Sequence, residues 1–171
     1  MLEFVSSYNL QEVSYPAKMI LLNEGDKAKY IYIVNTGCLR MWINSNGNDI
    51  TTQFFFEGSA IASLESLLKN DPSDFNLETI EPCTLFMMSR KDFLLFKEKD
   101  QRFKQWFDEM ILARFFYYSR HLLSYLRTKP QQRYIDLLQK HPEIFQRIPQ
   151  HYIASYLGIT SVSLSRIRTR R

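Results

Sequence analysis

The spacing of apolar residues changes from strand-like to helix-like about halfway along the chain. Between residues 18 and 90, short runs rich in β-branched and aromatic residues alternate with turn signals such as Asn23-Glu-Gly-Asp26 and Asn44-Ser-Asn-Gly-Asn48. Strands at this regular spacing are typical of an antiparallel sandwich or barrel. The predicted strands are Lys18–Leu22, Tyr30–Val34, Cys38–Ile43, Ile50–Phe56, Leu77–Ile80 and Thr84–Met88.

A long uninterrupted helix is predicted to follow. From about Lys91 the spacing becomes helical, and residues 102–127 contain neither Gly nor Pro. Pro130 is expected to end the helix, because a proline lacks the backbone N–H that the ladder needs.

Two apolar seams run along this helix, whereas a lone surface helix needs only one. We expect one seam to pack on the β domain and the other on a partner in a homodimer, with a helix packed inside a single chain as the alternative. Which seam is the dimer face stays open. The first seam holds Phe103, Phe107, Met110 and Tyr117, and the second, our candidate dimer interface, holds Ile111, Phe115, Tyr118, Leu122 and Tyr125.

The last twenty residues or so predict two short helices joined at a single glycine. Gly158 can take the positive φ that a sharp turn between helices requires. Either Thr160 or Ser161 can cap the second helix by accepting a hydrogen bond from a free backbone N–H. Apolar residues share one face of each helix: Ile153, Ala154 and Leu157 on the first, and Leu164 and Ile167 on the second.

The outward side chains of the second helix are suited to DNA. Short hydroxyl groups and guanidinium groups form hydrogen bonds with base edges and phosphates in the major groove. The pattern predicts a helix-turn-helix, and on spacing alone an ordinary helical hairpin that closes a core remains the alternative. The candidate DNA-contacting residues are Thr160, Ser161, Ser163, Ser165, Arg166 and Arg168.

Basic charge is concentrated at the same end of the chain. Residues 127–171 hold nine Lys or Arg against two acidic residues, a balance of +7 in a chain whose net charge is +4. Such a polarised distribution favours neutralisation of phosphates and release of counterions. Double-stranded DNA is therefore the expected partner, with a merely solvated basic tail as the alternative.

Composition predicts a folded protein of the cytoplasm. The 171 residues are 45% hydrophobic and 15% aromatic, which favours a packed core. We expect neither a membrane span nor a secretory signal, because long apolar runs and a basic start are both missing. Cys38 and Cys83 are far apart and form no CxxC pair, so buried free thiols are favoured over a zinc site or an iron–sulfur cluster. We expect no cofactor.

The order of these parts resembles the cyclic-AMP receptor protein/FNR family of bacterial transcription regulators. Residues 21–26 followed by 30–40 look like the opening hairpins of that family, with Gly25 and Gly37 at the turns. The stretch Tyr152-Ile-Ala-Ser-Tyr-Leu-Gly-Ile-Thr160 looks like its helix-turn-helix.

Within that motif, Arg166 matches a base-contacting arginine of the family's recognition helix. The resemblance spans nearly the whole chain. Its Ser-Leu-Ser-Arg-Ile stretch is similar to the branch common in Bacteroidetes-type bacteria.

The resemblance implies an α+β fold in three parts. An antiparallel β jelly roll over residues 1–101 would be the effector-type domain, residues 102–129 the long dimerisation helix and hinge, and residues 130–171 the helix-turn-helix domain. The implied function is that of a dimeric DNA-binding transcription regulator in which a signal shifts the spacing of the two DNA-binding ends. The implied partners are DNA, a second copy of the chain, RNA polymerase and an unidentified small-molecule effector.

The effector site departs from the family pattern. Cyclic-nucleotide binders use a Gly-Glu-Leu segment and a downstream Arg-Ser pair to hold the ribose and the phosphate. Here Ala62 and Ser63 occupy the Gly-Glu positions, and no arginine stands near Ser73, where Asp71 and Asp74 would face a phosphate instead.

We therefore expect that cyclic AMP does not control this protein. An apolar or acidic metabolite remains possible, as does the alternative that the nearby apolar residues only fill the β domain. The candidate pocket residues are Gly58, Ser63, Glu65, Ser73 and Asp74.

Two other classes of function compete with a transcription regulator. A metal-dependent β-barrel enzyme needs histidines clustered on strands, but His121, His141 and His151 all fall in the helical part, and none of the common catalytic motifs occurs. We expect no enzymatic activity. A dimeric ligand-sensing or partner-binding module without specific DNA recognition is the second hypothesis, because only three residues follow Arg168.

Overall fold

Eight strands form two four-stranded antiparallel sheets within residues 7–8 and 10–169, the part of the chain that this computed structural model describes. One sheet has the strand order β1-β8-β3-β6 and the other β2-β7-β4-β5, so the predicted antiparallel jelly roll is confirmed. The strands are β1 Gln11–Tyr15, β2 Ile20–Leu22, β3 Tyr30–Thr36, β4 Leu39–Ser45, β5 Asn48–Phe55, β6 Ala60–Ile61, β7 Asn76–Thr79 and β8 Cys83–Ser89.

The described range leaves out two parts of the sequence predictions. The expectation of no secretory signal rests mainly on residues 1–6, and Arg170 and Arg171 belong to the basic count at the C-terminus. Both lie outside the described residues.

Helices make up most of the remainder. They are α1 Leu64–Lys69, α2 Arg90–Lys99, α3 Gln101–Arg127, α4 Pro130–Lys140, α5 Pro142–Arg147, α6 Gln150–Tyr156 and α7 Ser161–Thr169.

The predicted long helix is α3. Asp100 caps its start, since its Oδ1 accepts a hydrogen bond from the backbone N–H of Phe103 at 2.9 Å. It ends before Thr128, and Pro130 is the first residue of α4, where a missing N–H is tolerated. In the described part of the chain, no helix is long and apolar enough to cross a membrane.

Two strands were not predicted. β1 pairs with β8 at the edge of its sheet. Its polar residues are exposed and only Val13 and Tyr15 are half-buried, so it lacks a strong apolar signal. β6 has only two residues, which is too short for a periodic pattern to show.

Strand β5 contributes to two separate cores because successive side chains of a strand point to opposite faces. Phe55 is 1% exposed and packs between the sheets with residues such as Leu39 and Leu85. Phe54 points the other way and packs with residues of helices α4 to α7, which we call the terminal helices, among them Tyr156. The terminal helices are therefore seated directly on the outer face of the β4–β5 hairpin.

The turn after α6 depends on Gly158, whose φ is +67°. A Cβ at this position would lie 2.8 Å from Cε1 of Tyr125, a ring that is held by a hydrogen bond from its hydroxyl to the Tyr156 carbonyl and by Arg133 stacked 4.5 Å from the ring centre. Gly25 has a similar φ of +89°, but a Cβ there would meet nothing within 4 Å.

Gly158→Ala should lower the free energy of unfolding by about 2–3 kcal/mol and Gly25→Ala by only about 1–2 kcal/mol. Both substitutions place a Cβ on a left-handed backbone, but only the Cβ at position 158 also clashes with the fixed ring of Tyr125. Equilibrium unfolding in urea measures both values. Equal losses in the two variants would contradict the assigned contact with Tyr125.

Candidate functional site

The last two helices, α6 and α7, meet at the turn that the sequence predicts. Gly158 N–H donates to the Ser155 carbonyl and Ile159 N–H to the Ala154 carbonyl, each at 3.0 Å, which closes the end of α6. The predicted inner faces are buried: exposure is 1% for Ile153 and 1% for Leu164. Packing thus fixes how α7 crosses α6.

Thr160 is the residue that caps α7. Its Oγ1 accepts a hydrogen bond from the backbone N–H of Ser163 at 3.2 Å and lies 3.0 Å from the Ser163 hydroxyl. These two hydroxyls, predicted to contact DNA, are therefore already paired with each other.

The outer face of α7 carries the other predicted DNA-contacting residues. Ser161, Ser165, Arg166 and Arg168 are all exposed. Val162 is also exposed, at 61%, and was missed because an apolar residue gave no signal for a polar surface. An exposed apolar side chain that lies among hydrogen-bond donors, as Val162 does, can contact the methyl group of thymine in the major groove.

Helix α6 closes the open edge of the second sheet. β5 is the last strand of that sheet, and its backbone would otherwise present unpaired groups. The Ser155 hydroxyl accepts a hydrogen bond from Thr51 N–H at 2.9 Å and donates one to the Asp49 carbonyl at 2.8 Å. One side chain from α6 thereby stands in for part of a neighbouring strand.

A buried arginine lies in the same contact. Arg40 on β4 is 1% exposed, donates to Glu78 at 2.7 Å and pairs with Asp49 at 3.3 Å. The ring of Tyr152 on α6 covers its guanidinium at 3.8 Å, and Trp42 lies on it at 4.9 Å. A residue of α6, Tyr152, thus covers this charge cluster.

Arg147 makes a second connection between the terminal helices and the β-roll. At the end of α5, its guanidinium pairs with Glu57 at 2.7 Å and also with Glu81. The hydrogen bonds from Arg147 lower the pKa of the Glu57 carboxyl to about 2. Sequence reasoning found neither carboxylate, because both stand in loops between strands.

Tyr156 joins α6 to the long helix. Its hydroxyl lies 2.7 Å from the Tyr117 hydroxyl and 3.3 Å from Nδ1 of His121. Burial, together with the nearby Arg133 charge, lowers the pKa of His121. The imidazole is therefore held in its neutral form at neutral pH.

Of the two seams predicted on α3, the first contains buried residues, and the second is split between residues that face the protein and residues that face solvent. Phe103 and Phe107 of the first seam are buried in the cluster that contains the β core, and both rings contact Phe93 of α2. In the second seam, Ile111 packs on the β-roll, and Tyr118 and Tyr125 line cavities with their own chain. The two remaining members of that seam, Phe115 and Leu122, are exposed at 61% and 60%.

An apolar face of α3 remains open to solvent. Its residues recur at spacings of three and four, the a and d positions of a heptad. They include Leu112 at 54%, Phe115 at 61%, Phe116 at 50%, Leu122 at 60%, Leu123 at 42% and Leu126 at 73% exposure, with Ser119 between them. We call this set the open face.

The five predicted pocket residues do not come together. Gly58 is in a turn, Glu65 forms a surface ion pair with Lys69 at 2.7 Å, and the Ser73 hydroxyl donates to the Phe75 carbonyl. Ser63 lines a different cavity, beside β2 and β3. Of these five residues, Asp74 lines the groove between the β-roll and α3.

That groove, which we call the long-helix groove, consists of two cavities of about 330 and 570 Å³ that share Met41, Phe75 and Tyr118. Its walls are mostly apolar. Arg114 is the arginine of the first cavity, but its guanidinium already donates to Gln53 at 3.1 Å and to the Ala60 carbonyl at 2.6 Å. The groove suits an apolar molecule better than a phosphate.

The two cysteines lie in the interior of the protein. Cys38 and Cys83 are both buried and free, as predicted, and burial raises the pKa of the Cys83 thiol to about 11. Within the described ranges, no cluster of three His, Cys, Asp or Glu residues could hold a metal ion.

Comparison with known proteins places the β-roll in a family. The model of the cyclic nucleotide-binding domain family matches residues 12–100, which is more than half of the chain. The chain therefore belongs to the cyclic nucleotide-binding domain family, whose members are regulatory rather than catalytic. None of the curated protein sequences matches it.

Solved structures of bacterial regulators share the fold over nearly the whole chain. FixK2 from Bradyrhizobium japonicum is 20% identical, with a TM-score of 0.80 over 94% of this chain and 83% of that one. CLP, the c-di-GMP-responsive global regulator from Xanthomonas campestris, is 16% identical, with a TM-score of 0.78 over 99% and 88%. The Thermus thermophilus catabolite activator protein is 19% identical, with a TM-score of 0.60 over 99% and 81%.

Proposed function

We propose that this protein is a dimeric, DNA-binding transcription regulator of the cyclic-AMP receptor protein/FNR type. The observation that carries the proposal is α7, whose buried Leu164 anchors one face while Arg166, Arg168 and two serines stand exposed on the other. An anchored helix with guanidinium and hydroxyl groups outward is what a major-groove reader needs.

The division into parts follows the same proposal. Residues 1–101 would form the effector-type domain, 102–129 the dimerisation helix and hinge, and 130–171 the DNA-binding domain. RNA polymerase would be a further partner in the cytoplasm, and the Ser163–Ile167 stretch supports the Bacteroidetes-type branch.

The dimer would form through the open face of α3. Leu112, Phe115, Ser119, Leu122 and Leu126 follow the alternating spacing of three and four that a two-stranded coiled coil requires. An exposed apolar stripe of this length marks an interface. Two copies related by a two-fold axis would bury it and set the distance between the two α7 helices.

Leu122→Glu should convert the dimer to a monomer, raising the dimer dissociation constant on the order of 100-fold or more, because the two-fold axis brings two carboxylates into one apolar interface. Sedimentation velocity over a range of concentrations measures this. Leu95→Glu is the matched control, since Leu95 is 40% exposed on α2 and lies off the open face. A wild-type monomer at micromolar concentration, or an unchanged dimer in Leu122→Glu, would contradict the assignment.

Arg166→Ala should weaken binding to a preferred DNA site by about 1–3 kcal/mol, because one base-contacting guanidinium is lost. Sites selected from a random DNA pool, then measured by gel shift at several salt concentrations, provide the test. Half-sites about one helical turn apart are expected from a two-fold dimer.

Arg102→Ala controls for the loss of one positive charge, as Arg102 is exposed at the far end of α3. If every sequence bound equally with a steep salt dependence, the protein would be a nonspecific DNA binder. Absence of any DNA binding would favour the alternative, a dimeric ligand-sensing or partner-binding module.

A small-molecule effector would occupy the long-helix groove. The groove contacts the β-roll, α3 and the Gly158 turn together, so its occupant could shift their arrangement. Its apolar walls and its carboxylate, Asp74, favour an uncharged or weakly polar ligand.

Calorimetric titration with cyclic AMP and cyclic GMP should show no binding at micromolar concentrations. The physical reason is that Arg114 is already committed to Gln53 and Ala60, and Asp74 repels a phosphate. A dissociation constant in the micromolar range or tighter for either nucleotide would contradict this expectation.

A further inference from the structure

A second cleft lies on another face of α3, between that helix and the terminal helices. Its volume is about 580 Å³, within the range of small-molecule sites. The long-helix groove borders the β-roll, whereas this cleft is lined by residues of α3, α4, α6 and the loops that end α4 and α6. We call it the hinge cleft, because it opens beside the α3–α4 connection.

Positive charge dominates the hinge cleft. Arg120, Arg133 and Lys140 line it against a single carboxylate, Asp136, which accepts a hydrogen bond from the Gln132 side-chain amide at 2.7 Å. His141, at the rim, pairs with Glu143 outside the lining at 3.1 Å. The cleft is therefore electrostatically suited to an anion.

Aromatic rings form the wall. Tyr117, Tyr125 and Tyr156 all line the cleft, and His121 stacks on Tyr156 with the ring centres 4.8 Å apart. The hydroxyl groups of these three tyrosines are bonded within the protein, so the rings offer mainly apolar aromatic surface to a ligand. The wall favours a planar, aromatic body.

Arg133 joins two of the elements that border the hinge cleft. Its two terminal nitrogens donate to the Thr128 carbonyl at 2.7 Å and the Leu157 carbonyl at 2.9 Å, which ties the hinge to the turn after α6. Its Nε is buried and has no hydrogen-bond partner among the described residues. Because its terminal nitrogens are already bonded, Arg133 favours an anion in the cleft through its charge and not through a direct hydrogen bond.

We propose that the hinge cleft binds a small aromatic acid. Its ring lies among the three tyrosines, and its carboxylate pairs with Arg120 and Lys140. Because the cleft is formed by α3 together with the terminal helices, a bound ligand holds these elements in the arrangement described here. This site shares His121 and Tyr125 with the long-helix groove but lies on the side of these rings that faces the terminal helices, and it does not require DNA binding or a particular effector.

The test is calorimetric titration of the full chain with 1-naphthoate and with its uncharged analogue 1-naphthalenemethanol. We expect naphthoate to bind at least about 10-fold more tightly than the alcohol, because only the acid can form charge-assisted hydrogen bonds. The variant Arg120→Gln/Lys140→Gln should lose at least about 10-fold in naphthoate affinity.

The variant Arg102→Gln/Lys104→Gln is the matched control, since it removes two exposed charges from the start of α3. It should bind like the wild type. Arg120 and Lys140 are exposed and make no hydrogen bond or ion pair within the described residues, so the test variant should fold normally, as circular dichroism and thermal unfolding can verify. The proposal is overturned if naphthoate does not bind, if the alcohol binds equally well, or if the test variant retains wild-type affinity.

Discussion

The burial of Arg40 is the constraint on which the arrangement of the molecule depends. A guanidinium that is 1% exposed has lost its water, and that cost is recovered only if every donor finds a partner in good geometry. Glu78, Asp49 and Thr51 supply oxygens from the second sheet itself. Trp42 of the same sheet lies 4.9 Å from the guanidinium, and the nearer ring, at 3.8 Å, is that of Tyr152, which belongs to α6. The outer face of the sheet is therefore complete only when the terminal helices are seated on it.

Several other contacts depend on that seating. Phe54 has an apolar environment only because Tyr156 and its neighbours pack over it, and Arg147 reaches Glu57 and Glu81 from the end of α5. The terminal helices are consequently not a loosely tethered appendage. Charge, aromatic packing and backbone hydrogen bonds all hold them on β4 and β5, so any rearrangement must break all three kinds of contact together.

Local patterns in the sequence predict the elements well, because each depends on neighbours along the chain. Six of the eight strands of the jelly roll, the helix that ends before Pro130 and the turn at Gly158 follow from periodicity and from residues with special backbone preferences. The inner faces of α6 and α7 follow in the same way, since Ile153 and Leu164 are set by helical spacing alone.

Periodicity does not show which part of the protein each face of a strand or helix packs against. Alternation along β5 shows that Phe54 and Phe55 point apart, but not that both sides are covered. Arg40 looks like an ordinary outward residue of a strand, since its burial depends on Tyr152, more than a hundred residues away. Two seams on α3 were predicted, yet the rotation that leaves Phe115 and Leu122 open while Tyr118 faces its own chain is set by tertiary packing.

Candidate pocket residues were the hardest to predict, because a pocket is defined by what surrounds it. Ser73 and Glu65 are polar residues in the expected stretch, but the Ser73 hydroxyl is bonded to the Phe75 carbonyl and the Glu65 carboxylate to Lys69. The long-helix groove and the hinge cleft are formed instead by residues far apart in sequence, which meet only after α3 has packed.

The hydroxyl of Ser155 carries one more implication. It occupies the backbone groups of Thr51 and Asp49 on an edge strand, and an unpaired edge is a template for another strand. If α6 swung away, the chain would display a length of uncovered sheet to its surroundings. Release of the terminal helices would therefore expose β5 to pairing with the β5 strand of another molecule. A long-lived open state would in this way favour self-association.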